Sequence, residues 1–205
     1  LDLLDKNYEE LNTDKRIEIA KALEKSAVSQ SDKIISATGG FSDSKYSSAM
    51  VMSNGFEGIS EATYFSAGAE VTVKDNDARP EDWAYQSNRF FKNLPTAEEL
   101  GKEAADRALR KIGQKKIESG TFDMLVENRS CGRLIGMMIS PMSARSLQQK
   151  SSYLEGMLGN KIASDKFTLI DDPFIVGGFG SRLYDGDGIG SQKRTMIEKG
   201  VLKNY

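Results

Sequence analysis

The chain has 205 residues, with 28 Lys+Arg against 30 Asp+Glu, a net charge of −2, 1 Cys and no His. Without imidazole it cannot form a Ser-His-Asp or Cys-His nucleophilic site or a histidine-ligated zinc site, and one Cys supplies no thiolate cage. A single Cys forms no intrachain disulfide, which suits a reducing, cytoplasmic setting; near-balanced charge is not the basic excess of a dedicated nucleic-acid binder, so nucleic acid is not an expected partner.

Length accommodates one domain or two small ones. The uncharged apolar run from Leu134 to Ala144 is far shorter than the ~20 residues a membrane span needs, and no basic-then-apolar leader opens the chain. Both ends read as cuts inside a longer protein. Asn12 or Thr13 caps a predicted helix starting at Asp14. Ile17, Ala20, Leu23 and Ala27 recur at helical spacing as its buried stripe, and it ends near Ser29. Strands are expected at Lys33–Ala37, Ser47–Ser53, Gly58–Ser66, Ala69–Lys74 and Ala84–Phe91. Asn54-Gly55 is a hairpin signal, because both residues tolerate positive φ, and Asp75-Asn76-Asp77 is another turn. Thr96 with Glu99 makes a capping box. Leu100, Ala104, Ala108 and Ile112 form the buried face of the next helix, with Gly113 as its stop. The expected class is α+β: an antiparallel meander sheet covered by helices over residues 1–114.

Lys115 to Gly120 is polar and reads as a linker, after which residues 121–205 begin a second, β-rich domain. A strand is predicted at Phe122–Glu127, then a Met-rich helix over Ser130–Met142 interrupted by Gly136 and Pro141, and a short helix over Ser143–Lys150. Phe167–Asp171 reads as a strand, Gly177-Gly178-Phe179-Gly180 as a flexible loop, and Arg194–Glu198 with Val201–Tyr205 as a hairpin around Lys199-Gly200.

Several motifs carry a chemical reading beside a plainer one. Asp185-Gly186-Asp187-Gly188 has the look of a calcium loop, but the closing Glu and flanking helices are missing, which leaves a tight turn. The glycines at 177, 178 and 180 lack the Lys-Ser/Thr of a phosphate loop. Asp171 and Asp172 could serve acid–base chemistry only if burial raised one pKa. Cys131 reads as a small core residue. Lys150 beside Ser151 and Ser152 could form a nucleophile–base pair, with no oxyanion partner in view. Met137, Met138 and Met142 are either core or a pliable peptide-binding wall.

The combined pattern resembles the TldD/PmbA family, once called modulators of DNA gyrase. It runs through Arg145–Leu154, Phe167–Pro173, Gly177–Ser181, Tyr184–Gly188 and Glu198–Leu202, and its order and spacing look like the PmbA (TldE) branch. The resemblance implies a middle domain followed by the opening of a C-terminal domain, in proteins about twice this length. In the TldD branch a His-Glu-x-x-x-His helix binds zinc and supports peptide hydrolysis. That motif would fall on Gly136–Pro141, where Gly136 and Pro141 stand for the two His and Met137 for the Glu. The resemblance therefore implies a chain with no catalytic residue and no metal of its own, paired with a zinc-carrying TldD-like subunit in a peptidase acting on unfolded or modified peptides. A homodimer is the alternative assembly in isolation. Met137, Met138, Met142, Gly177, Gly178 and Gly180 are the candidate peptide contacts. Competing readings are an independent hydrolase using Ser151 or Ser152 with Lys150, and a gyrase modulator.

Overall fold

The first helix begins where a side chain replaces a missing turn. Asn12 accepts from Lys15 N at 2.9 Å, and α1 runs Thr13–Val28 in the computed structural model, which describes residues 1–205. The buried line of α1 passes through Ile19, Leu23 and Ala27, whereas Ile17, expected in that stripe, is exposed. The sheet lies under the 19–23–27 side, and at 100° per residue Ile17 turns away from it. A second helix, α2, spans Ala97–Leu109; Thr96 and Glu99 form the expected reciprocal capping box. Leu100, Ala104 and Ala108 are fully buried. The helix stops four residues before Gly113, whose positive φ closes the following turn and whose N–H donates to Asp75 at 2.7 Å.

Between the helices lie three strands rather than the five anticipated: β1 Ile34–Val51, β2 Glu57–Val73 and β3 Glu81–Asn88, antiparallel in the order β1-β2-β3. The predicted breaks fall on glycine- and serine-rich stretches, which read locally as loop. Their main chain is nevertheless paired, Gly39 opposite Ala69 and Gly40 opposite Gly68. Small residues are needed there because a Cβ on Gly39 would sit 2.1 Å from Ala20 O of α1, and one on Gly101 of α2 would sit 2.7 Å from Ser26 Cβ. Helices and sheet thus approach across Ala27, Ala69, Ala84, Ala104 and Ala108, with Val71 and Val73 filling the layer. β3 ends before Phe90 and Phe91, which enter a turn. In the first hairpin only Gly55 takes positive φ; Asn54 contributes its side chain, which accepts from Phe56 N at 3.0 Å. This is a three-residue connection with glycine in the left-handed position.

Contacts within the chain define two compact units, Leu1–Lys116 with Ile175–Gly190, and Ile117–Phe174 with Ser191–Tyr205. The second unit is built from short pieces: α3 Asn128–Ile139, a 3₁₀ turn Ser140–Met142, α4 Ala144–Gln148, and a sheet of β4 Leu169–Asp171, β5 Arg194–Glu198 and β6 Val201–Leu202. Lys199 and Gly200 both take positive φ in the β5–β6 hairpin, as a two-residue type I′ connection requires. The predicted strand Phe122–Glu127 is absent: that segment has no ladder partner and no regular structure. Gly136 does not interrupt α3: glycine keeps its backbone hydrogen bonds, its carbonyl accepting from Ser140 N, and only lowers helix propensity; Pro141 instead shapes the 3₁₀ end. The core of this unit is Met142, Leu154, Ile197 and Leu202. The architecture is α+β throughout, a helix-covered antiparallel meander and a second small antiparallel sheet. No helix is long and apolar enough to cross a membrane.

Candidate functional site

In the second unit, α3 presents the positions assigned to the degenerate metal motif. Gly136 and Met137 are exposed on the helix, Met137 to 70%, and Pro141 follows in the 3₁₀ turn. Glycine has no side chain, proline offers no donor atom, and a thioether does not accept a proton at neutral pH. These three positions do not fit a zinc ion, and no cluster of three or more Asp, Glu or Cys compensates for them elsewhere in the chain. Of the three methionines offered as peptide contacts, Met137 is open to solvent, Met138 is half-buried, and Met142 is a core residue packed with Leu154. Cys131, read as core, is only half-buried on α3, where its thiol faces the carbonyls of Val126 and Glu127.

The seryl candidates are committed to structure. Ser152 Oγ donates to Pro141 O at 2.6 Å and accepts from Leu154 N at 3.1 Å, while Ser151 Oγ donates to Ser146 O at 3.2 Å. Each hydroxyl thus spends its only proton on a carbonyl, and exposed Lys150 takes a positive φ that ends the α4 turn. Asp172 is held as an anion. Lys193 Nζ lies 2.6 Å from it and Phe174 N donates to it at 3.0 Å, and these two bonds, the lysine's foremost, push its carboxyl below the usual range. That is the opposite of the raised pKa a general acid needs.

The glycine segment belongs to the first unit. It is a compact turn rather than a flexible loop: Gly177 N donates to Leu1 O at 3.0 Å, Gly178 N to Ile175 O at 3.1 Å, and Ser181 Oγ to Ile175 O at 2.6 Å. It neither follows a strand nor opens a helix, so it lacks the geometry of a phosphate cradle. Gly177 and Gly178 are tightly flanked, whereas Gly180 faces open space. Asp185 closes its own turn, accepting from Asp187 N and Ile189 N, both at 2.9 Å. The candidate contacts therefore divide, glycines on one unit and methionines on the other.

Arg89 was not singled out from sequence, although it carries the glycine segment. It is buried at 5% exposure, donates to Thr63 O at 3.1 Å and Phe179 O at 2.9 Å, and lies 5.2 Å from the Phe179 ring centroid. Rings add to the same seam, Tyr64 against Phe179 and Phe56 against Tyr184. The only local signal is a cation beside apolar Phe90 and Phe91, and a sequence with that pattern names no partner.

The chain is a helix-covered antiparallel meander followed by a second unit with its own small sheet. In family models, residues 6–112 match the PmbA/TldA metallopeptidase central domain and residues 119–205 its C-terminal domain. The chain belongs to the PmbA/TldD family. Among curated relatives, the metalloprotease PmbA of Escherichia coli O157:H7 is 27% identical over 198 residues, covering 96% of this chain and 44% of that protein. A crystal structure from Bacteroides thetaiotaomicron, described as a candidate modulator of DNA gyrase, matches all of this chain and 47% of its own at 38% identity and a TM-score of 0.94. The TldE structure from Thermococcus kodakarensis shares the fold at 20% identity and a TM-score of 0.73. The chain thus spans a little under half the length of these relatives.

Proposed function

We propose that this chain forms part of a metal-free, non-catalytic PmbA/TldE-type subunit that shapes the peptide path of a TldD-like zinc peptidase acting on unfolded or modified peptides in the cytoplasm. The observation that carries the reading is chemical. The protein has no His at all, and Gly136, Met137 and Pro141 stand where the resemblance puts the two imidazoles and the general base. On this reading a hydrolytic metal would be held by residues outside this chain, those of the TldD-like partner. The candidate contacts on this side are Met137 and Met138, whose pliable thioether stems suit varied apolar side chains, and the exposed Gly180, where a backbone can approach closely.

The test is to purify the longer natural protein alone, its TldD-like partner alone, and the two together. We expect zinc by elemental analysis in the partner, and cleavage of an unfolded peptide only in the presence of the partner. Stoichiometric zinc and chelator-sensitive cleavage from the PmbA-type protein alone would refute the reading. A Ser151→Ala, Ser152→Ala double variant should cleave like the parent in the paired assay, since both hydroxyls are bound to carbonyls.

A further inference from the structure

The connection from β4 to β5 is drawn together at its base and closed within itself. Asp171 of β4 pairs with Arg194 of β5, and just beyond them Lys193 Nζ meets Asp172 at 2.6 Å. Past that neck, Ile175–Gly190 forms two closed turns. Ser181 ties the first, donating from Oγ to Ile175 O at 2.6 Å and from its N–H to Gly178 O at 3.2 Å. Asp185 ties the second. Its carboxylate accepts from Asp187 N and Ile189 N, its own N–H donates to Ile189 O at 2.9 Å, and Tyr184 bridges to Gly190. A loop whose ends meet and whose own side chains close it holds its shape as a unit.

The loop is seated on the first unit's sheet through both turns. Phe179 of the first turn lies against Tyr64 of β2 at 5.6 Å, and Gly177 N donates to Leu1 O. Tyr184 of the second lies against Phe56 at 4.9 Å, in a space that Gly58 leaves for it, since a Cβ there would sit 2.5 Å from the Tyr184 ring. Arg89 is the remaining hold, through the carbonyl and ring of Phe179. No carboxylate pairs with this buried guanidinium, and its Nε finds no acceptor. Two carbonyls and a ring face stand in for the water an open guanidinium would have. Burying an unpaired charge is unfavourable. Seating the loop over Arg89 is therefore opposed by desolvation, and release returns the charge to water. A self-closed piece, a fixed neck and a hold that works against itself are what local opening without unfolding requires.

We propose that Ile175–Gly190 is a strap that leaves and rejoins the sheet as one piece, with Arg89 as its catch. Docked, it fixes where Gly180 stands. Released, it moves Gly180 and uncovers Arg89 in the same event, while the Asp172–Lys193 neck stays closed. The inference concerns the fold of this chain, and it stands or falls apart from the peptide-handling reading above.

The test uses the full-length natural protein and phenylglyoxal, which modifies accessible guanidinium groups. Initial rates at Arg89 and at exposed Arg79 are read by peptide mass spectrometry. We expect Arg89 to react about tenfold or more below Arg79, because it reacts only while the strap is off. Urea too dilute to start the unfolding transition read from Trp83 should leave that rate nearly unchanged, since such an opening exposes little surface. Tyr184→Ala removes a ring from the turn that does not touch Arg89. It should speed modification of Arg89 about fivefold or more with Arg79 unchanged, an effect that reaches Arg89 only if the strap moves as one piece. The urea series needs no variant, so a misfolded Tyr184→Ala protein leaves the test intact. Modification of Arg89 at the Arg79 rate, modification only where Trp83 reports unfolding, or a folded Tyr184→Ala variant with the parent's rate would each overturn the proposal.

Discussion

The two units spend their apolar residues in opposite ways. In the first, three strands of 18, 17 and 8 residues and two capped helices close over alanines, valines and a fully buried Phe65. In the second, α3 has no buried residue at all, and Phe122, Met124, Leu125, Leu134 and Met137 lie open to solvent. Its closed core rests on four residues, Met142, Leu154, Ile197 and Leu202. Long pairing and small side chains close the layer between helices and sheet in the first unit, whereas the short elements of the second leave α3 and the Phe122–Leu125 run open to solvent.

Core truncations should sharpen this contrast most. Phe65 packs against the rings of Tyr8 and Phe91 at 5.7 and 5.8 Å, and Phe65→Ala should cost about 4 kcal/mol, from lost transfer energy and the cavity left behind. Trp83, the one tryptophan, reports that transition by fluorescence in denaturant. Ile197→Ala should cost about 3 kcal/mol in the second unit, read by faster amide exchange along β5. Equal and small effects of both substitutions would break the comparison.

Capping and charge effects come next. Thr96→Ala should cost about 1 kcal/mol, since it removes the acceptor for Glu99 N at the start of α2. Asp43 is bound through two bonds of 2.8 Å by the Arg16 guanidinium, which, with the Tyr8 hydroxyl, holds its carboxyl below its ordinary value of 3.8. A depressed folded-state pKa contributes stability that is whole above the unfolded value and is lost as pH falls through the folded one. Asp43→Asn should therefore destabilise the protein at pH 7, and the gap to the parent should close in acid, below pH 3.8.

How legible all this is in the sequence depends on distance along the chain. The Asn12 and Thr96 caps, the Lys199-Gly200 hairpin and the Asn54-Gly55 turn are set by neighbours a few residues apart, and each forms where expected. β1 shows itself only at its ends, because Thr38–Lys45 is rich in glycine and serine, and Gly39 and Gly40 are set by close contacts with α1 and with Tyr85 of β3, not by strand propensity. Phe122–Glu127 has strand composition, but a strand needs a partner, and composition does not reveal whether one exists. The absence of imidazole is plain from counting. Arg89 is the opposite case: its bond to Phe179 O spans 90 residues, and no local pattern encodes a contact of that range.

The smallest expected effect tests the open half of the comparison most directly. Leu125 is 98% exposed and sits in a segment without ladder partners. If that segment stabilises nothing within this chain, Leu125→Ala should shift the unfolding free energy by less than about 0.5 kcal/mol, the range of ordinary surface substitutions. The same substitution in a core such as that around Leu154 would cost about 2–5 kcal/mol. A loss above 1 kcal/mol at Leu125 would mean that residues 121–127 fold against the chain in solution. The contrast between a closed layer and an open run would then give way to two equally closed units.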